Sequence, residues 1–196
     1  MEGQRAQELL RSLSLDDEGS FYGSSRGLNL GAGLLYRDVT FPFFDQEAGR
    51  FSARSGLVCV ISHECDVDPA NDRFLNGMVL VCVVLPLSIV VETAAAACLR
   101  DDELGAFLGN VARRRTPRCV YFPLHPDFLP DGGLLNLNLL ASTDRSELED
   151  AKCVAALSAH AYRTVTAALE QHLTRPKAEI LPFADVPIGR GRTIRP

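Results

Sequence analysis

The sequence predicts a mainly β domain, an α+β chain built as a small barrel with helices added in a central insertion and at the C-terminus. Three observations carry this reading. Short runs rich in Val, Ile and Leu recur through the middle of the chain. Polar stretches containing Gly and Pro separate them. Helical periodicity is confined to a few segments. Many short strands with frequent turns are the pattern of a barrel or a sandwich.

The elements follow in chain order. Residues 3–13 carry an amphipathic helix pattern, with Leu9, Leu10 and Leu13 on one face. A Gly/Ser-rich loop over 19–33 completes an N-terminal appendage, residues 1–32. "GLLYRDVTFPFF" (33–44) reads as the first strand, and "DQEAGRFSAR" after it holds a turn. "GLVCVIS" (56–62) is apolar on both faces, so it is a buried central strand. "GMVLVCVVLPL" (77–87) is a second one, ended by Pro86. An insertion of about 89–116 holds two helices, the first capped by Ser88 and the second, over about 102–113, by Asp101. Strands follow at 117–124, at 131–140 and at 152–158. Ser158 caps a last helix over about 159–173, with Tyr162, Val165, Ala168 or Leu169 and Leu173 inward. The Pro/Gly-rich tail, 174–196, is basic at its end and reads as extended.

Length and composition narrow the function classes. At 196 residues the chain suits one domain with appendages. Its net charge of −5 creates no general field for nucleic acid, so any such contact needs a local patch. Arg113, Arg114, Arg115 and Arg118 form the dense basic run, a candidate phosphate-contacting, RNA-binding patch. Six cysteines include no Cys-x-x-Cys pair. Cys59, Cys82, Cys98 and Cys153 fall inside apolar runs, as small hydrophobes do. The thiols read as reduced and the chain as cytoplasmic. No apolar run reaches the roughly 20 residues of a membrane span, and the N-terminus lacks a signal-peptide core.

The chemistry-bearing stretch is "SGLVCVISHECDVD" (55–68), where a buried strand runs into His63, Glu64, Cys65 and Asp66. On a continuing strand, His63 and Cys65 share one face. An imidazole there can activate the thiol as a nucleophile. It can instead act as general base on a ribose 2′-OH, oriented by Glu64 or Asp66. A metal reading would take His63, Cys65 and Asp66 with Cys119 or His125 as fourth ligand, although adjacent ligands on a strand converge poorly. In the plainest reading, Cys65 packs under a loop whose Asp66 and Asp68 make turn bonds.

The order "GLLYRDV" (33–39), "LVCVIS" (57–62), "VVLPLS" (83–88), "GLLNLNLLASTDRSEL" (133–148), "CVAALS" (153–158) and a C-terminal helix resembles the MazF/PemK-like toxins. The resemblance covers residues 33–173, interrupted by the insertion. It implies an SH3-like barrel. Ile61 to Asp66 is also similar to a group of bacterial proteins whose strand end reads Ile-Ser-His-Asp-Cys-Asp. The toxin resemblance implies a bacterial, toxin–antitoxin or phage-defence context. It further implies a homodimeric, metal-independent endoribonuclease without cofactor. The family arginine falls on Gly56, leaving Arg54 as phosphate stabiliser, and the family Ser/Thr falls on Ser88. His63, Glu64, Cys65, Asp66, Arg54 and Ser88 then line the site. Two further expectations stand beside it. One is an inactive barrel that recruits a protein, such as an antitoxin or a neighbouring defence protein. The other is a hydrolase with Cys65 as nucleophile.

Overall fold

The computed structural model describes residues 21–25, 28–45, 48–68 and 77–174. The helix expected at 3–13 and the C-terminal tail lie outside them. Seven strands form one antiparallel sheet: β1 (Tyr22–Gly23), β2 (Leu34–Asp45), β3 (Arg50–Val60), β4 (Met78–Pro86), β5 (Cys119–Phe122), β6 (Gly133–Asp144) and β7 (Lys152–Leu157). Their order is β1-β7-β2-β3-β4-β6-β5. Five helices are added: α1 (Glu64–Val67), α2 (Leu87–Ala96), α3 (Asp101–Ala112), α4 (Arg145–Asp150) and α5 (Ala159–Thr174).

The mainly β class holds, with two helices in the central insertion and one at the C-terminal end of the described chain. The barrel does not. The sheet is not closed by a hydrogen-bond ladder, because its edge strands β1 and β5 do not pair with each other. They meet through side chains instead. The Tyr22 hydroxyl donates to the Pro123 carbonyl at 2.6 Å, and Phe21 packs edge-on against Phe122 with centroids 5.0 Å apart.

The doubly apolar strands explain the core. Val58, Val60, Val79, Val81 and Val83 pack on one face with Val39, Val67 and Leu148. Cys59, Cys82 and Val84 pack on the other with Leu35, Phe122 and Val165. Both faces are therefore dry where β3 and β4 meet, over Leu57–Val60 and Val81–Val84, as the near-continuous hydrophobicity there requires. A third cluster seats α2 and α3 through Leu87, Val91, Leu104 and Leu108 against Leu134.

Several element ends differ from expectation. Ser88 lies inside α2, whose N-cap is Pro86, so it caps nothing. Asp101 is the first residue of α3, and the cap position is Arg100, whose N–H is bonded by Glu103 at 3.0 Å. Ser158 does cap α5, accepting from the Ala161 N–H at 3.2 Å. Leu173 is 63% exposed rather than inward, and Cys98 is exposed rather than apolar filling.

Candidate functional site

Strand β3 ends at Val60, and the expected strand extension through the tetrad does not form. Ile61 and Ser62 both bond to the Leu80 carbonyl. The chain then turns into α1, a single helical turn. His63 is its N-cap, and Nδ1 accepts the Cys65 main-chain N–H at 3.2 Å. The Nδ1 lone pair of the histidine expected to serve as base is thus engaged with the backbone. His63 and Cys65 are not neighbours on a strand face, which corrects the geometry behind the thiol-activation scheme. Buried Val67 anchors the turn, and Arg145 donates from Nη1 to the Val67 carbonyl at 2.6 Å. Gly31 runs directly beneath: a Cβ there would sit 2.9 Å from Glu64 Cβ. His63, Glu64, Cys65 and Asp66 are exposed, between a cleft of about 300 Å³ toward Tyr162 and one of about 530 Å³ toward Arg145.

The other expected catalytic groups stand elsewhere. Arg54 pairs with Phe41 midway along β3, six residues before Val60. At about 3.3 Å per residue that is a separation of roughly 20 Å. Its guanidinium lies 4.2 Å from the centroid of the Phe43 ring. Ser88 follows the end of β4 that is remote from α1, since Val81, not Pro86, pairs with Val60. A base and a phosphate stabiliser must both reach one phosphodiester, within about 3 Å of the reacting atoms. Within one chain, Arg54, Ser88 and His63 do not meet that condition.

The metal ligands proposed from sequence do not converge either. Cys119 is half-buried on β5 opposite Asn136. His125 stacks on Phe128 at 4.2 Å and accepts the Asp127 N–H at 3.3 Å. Among the described residues no three His, Cys, Asp or Glu side chains gather as a metal site.

The basic run does meet a cavity. A cleft of about 470 Å³ opens between the end of α3, strand β5 and α5, and Arg113 and Arg114 line it with Thr116, Tyr121, Thr164 and Gln171. No Asp or Glu lines it. The clefts of about 300, 530 and 320 Å³ elsewhere each carry at least one carboxylate. Arg115 and Arg118 are not part of this lining. The end of α3 explains the placement. Arg114 and Arg115 donate their N–H groups back to the Val111 and Asn110 carbonyls, a Schellman closure. Arg114 therefore sits at the left-handed position, φ +56°, usually filled by glycine. Keeping a side chain there costs about 1 kcal/mol. The side chain reaches His160: Nη2 lies 3.3 Å from Nε2. Because arginine only donates, the imidazole nitrogen accepts. Sequence reasoning found this basic run but not its cleft, whose other wall is the small, polar face of α5.

The β2–β3 ribbon forms a second surface. Residues 39–45 of β2 pair only with 50–56 of β3, so this half of the hairpin is an arm with no third strand in its ladder. Its inner side rests on the core through buried Val39 and Phe41 and through the Thr143 hydroxyl, which donates to the Thr40 carbonyl at 2.9 Å. Its register puts Pro42, Phe44, Phe51 and Ala53 on one face, while Phe43, Arg50 and Arg54 share the other. Phe44 and Phe51 are 47% and 74% exposed, with ring centroids 5.2 Å apart.

No protein-family model, no curated protein and no solved structure matches the chain.

Proposed function

We propose that the chain is a protein-interaction module that docks through the β2–β3 arm, and that the first occupant of this surface is a second copy of itself. One observation carries the reading: two exposed phenylalanines stand together on the outward face of the β2–β3 hairpin end, where no third strand pairs. An exposed aromatic pair of this kind gains by being covered. Pro42, which has no N–H, blunts β2 against edge-to-edge extension, so face-to-face packing is favoured. The arginines lie on the opposite face, where they do not interleave with the exposed rings as a base-stacking platform would.

The test is sedimentation across the micromolar range on the wild type and on a Phe44→Ser/Phe51→Ser variant. The wild type is expected to dimerise. Removing two rings of about 2 kcal/mol each weakens the dimer by ~100-fold or more. A monomeric wild type sinks the proposal. A parallel incubation with long unstructured RNA in EDTA checks the nuclease reading. Cleavage abolished by His63→Ala would restore it, with Arg54 and His63 then supplied by different copies.

A further inference from the structure

We infer that the α3–β5–α5 cleft binds a nucleoside phosphate, held by its phosphate group. The charge pattern points there. In a chain of net charge −5, the cleft walls bear two arginines and no carboxylate. The negative end of the α3 dipole faces the same region and opposes an anion there. The fold suppresses it, because the Gly109, Asn110 and Val111 carbonyls are taken by the N–H groups of Arg113, Arg115 and Arg114.

The second observation is independent of charge. Arg114 holds a backbone conformation in which glycine is the unstrained residue. Its guanidinium is nonetheless directed to His160, with Nη2 3.3 Å from Nε2. Cys98 closes α2 in the same left-handed conformation, φ +55°, so what distinguishes Arg114 is its directed guanidinium. Guanidinium forks match phosphate oxygens in pairs. Tyr121 and Phe21, which pack on opposite faces of β5, each present an aromatic ring to the cleft for a base, and Thr116, Thr164 and Gln171 offer hydrogen bonds for a sugar. The volume of about 470 Å³ is in the range of small-ligand sites and suits one nucleotide, free or at the end of an RNA chain.

Calorimetric titration with AMP, adenosine and inorganic phosphate tests this on the full chain, with a 5′-phosphorylated oligoadenylate as the fourth probe. AMP is expected to bind, adenosine at least about tenfold more weakly, because charge-assisted bonds to the phosphate are lost. The deciding variant is Arg114→Gly. It relieves the left-handed strain, so its thermal midpoint stays or rises, while AMP affinity falls about tenfold or more. Arg113→Ala, outside the strained position, lowers affinity without that gain. Tighter binding of the oligoadenylate than of AMP assigns the cleft to RNA ends, and equal binding assigns it to free nucleotide. The inference is overturned if folded wild type binds neither AMP nor the oligoadenylate. It is equally overturned if adenosine binds as tightly as AMP, or if Arg114→Gly binds AMP like the wild type.

Discussion

The six thiols show how far a residue's surroundings set its chemistry. Cys59 and Cys82 face each other on β3 and β4 and are fully buried. Burial pushes the Cys59 thiol up to about 12, and it raises Cys82 further still. Burial also raises Cys119, partly offset by the neighbouring Arg118. Cys65 and Cys98 are exposed. Iodoacetamide is therefore expected to modify Cys65 and Cys98 first, Cys119 and Cys153 more slowly, and Cys59 and Cys82 only after unfolding. Peptide mapping over time reads the order, and early labelling of Cys82 would contradict it. Sequence made Cys59 and Cys82 legible as core, because β-branched neighbours surround them. It failed for Cys98, where an alanine-rich run ends in a helix terminus rather than in the interior. It failed also for His63 and Cys65. A backbone bond to an imidazole Nδ1 bends the chain out of the strand, and no apolar pattern encodes that bond.

At the scale of elements, long apolar strands were legible and short polar ones were not. β4 and the last part of β3 declare themselves by hydrophobicity on both faces, whereas polar Arg50 to Arg54 read as part of a turn region and extend β3 only because they pair with Phe41 to Asp45. β1 is two residues in a Gly/Ser-rich stretch, and it exists only because Tyr22 and Gly23 find Leu157 and Ala156 on β7. Helices α1 and α4 are also short and depend on their caps. In α4 the cap is Asp144, whose Oδ1 accepts from the Ser146 N–H at 2.8 Å and hydroxyl at 2.7 Å. These bonds, the hydroxyl's first, hold the Asp144 carboxyl below its ordinary value. The sign follows from linkage. A depressed folded-state value adds stability that is present above the unfolded carboxyl range and is lost as pH falls through the folded value. Asp144→Ala should therefore be less stable than wild type at neutral pH, and the difference should close as the pH is taken below 4, roughly the unfolded carboxyl value. Urea midpoints at both pH values measure it. A gap that persists in acid would assign the loss to Leu148 packing rather than to the cap.

For the whole molecule, the expected barrel and the observed sheet differ in how the last edge is satisfied. The order of strands follows from hydrophobic runs and turns, but closure depends on a few contacts far apart in sequence, such as Tyr22 to Pro123, 101 residues on. Here Tyr22, Phe122, His125 and Phe128 join the two edges, with Tyr22 edge-on to Phe128 at 5.4 Å and to His125 at 5.5 Å. A side-chain clasp of this kind is weaker than a ladder, and it can be weakened by degrees. Tyr22→Phe keeps the rings but leaves the Pro123 carbonyl without that donor, at a cost of about 1 kcal/mol. Phe122→Ala empties a fully buried site and costs about 3–5 kcal/mol. The two should differ in where protection is lost. In Tyr22→Phe, amide exchange should rise in β1 and β5 while β2, β3 and β4 stay protected, because those strands rest on the central core rather than on the clasp. Phe122→Ala should lower protection throughout. The clasp also borders the α3–β5–α5 cleft, since Phe21 and Pro123 line it. Tyr22→Phe should then weaken AMP more than its small stability loss explains, because the wall behind the arginines is no longer fixed. Uniform exchange with unchanged AMP affinity would mean that the edges are held by the flanking α5 helix, and that the clasp is incidental to both fold and site.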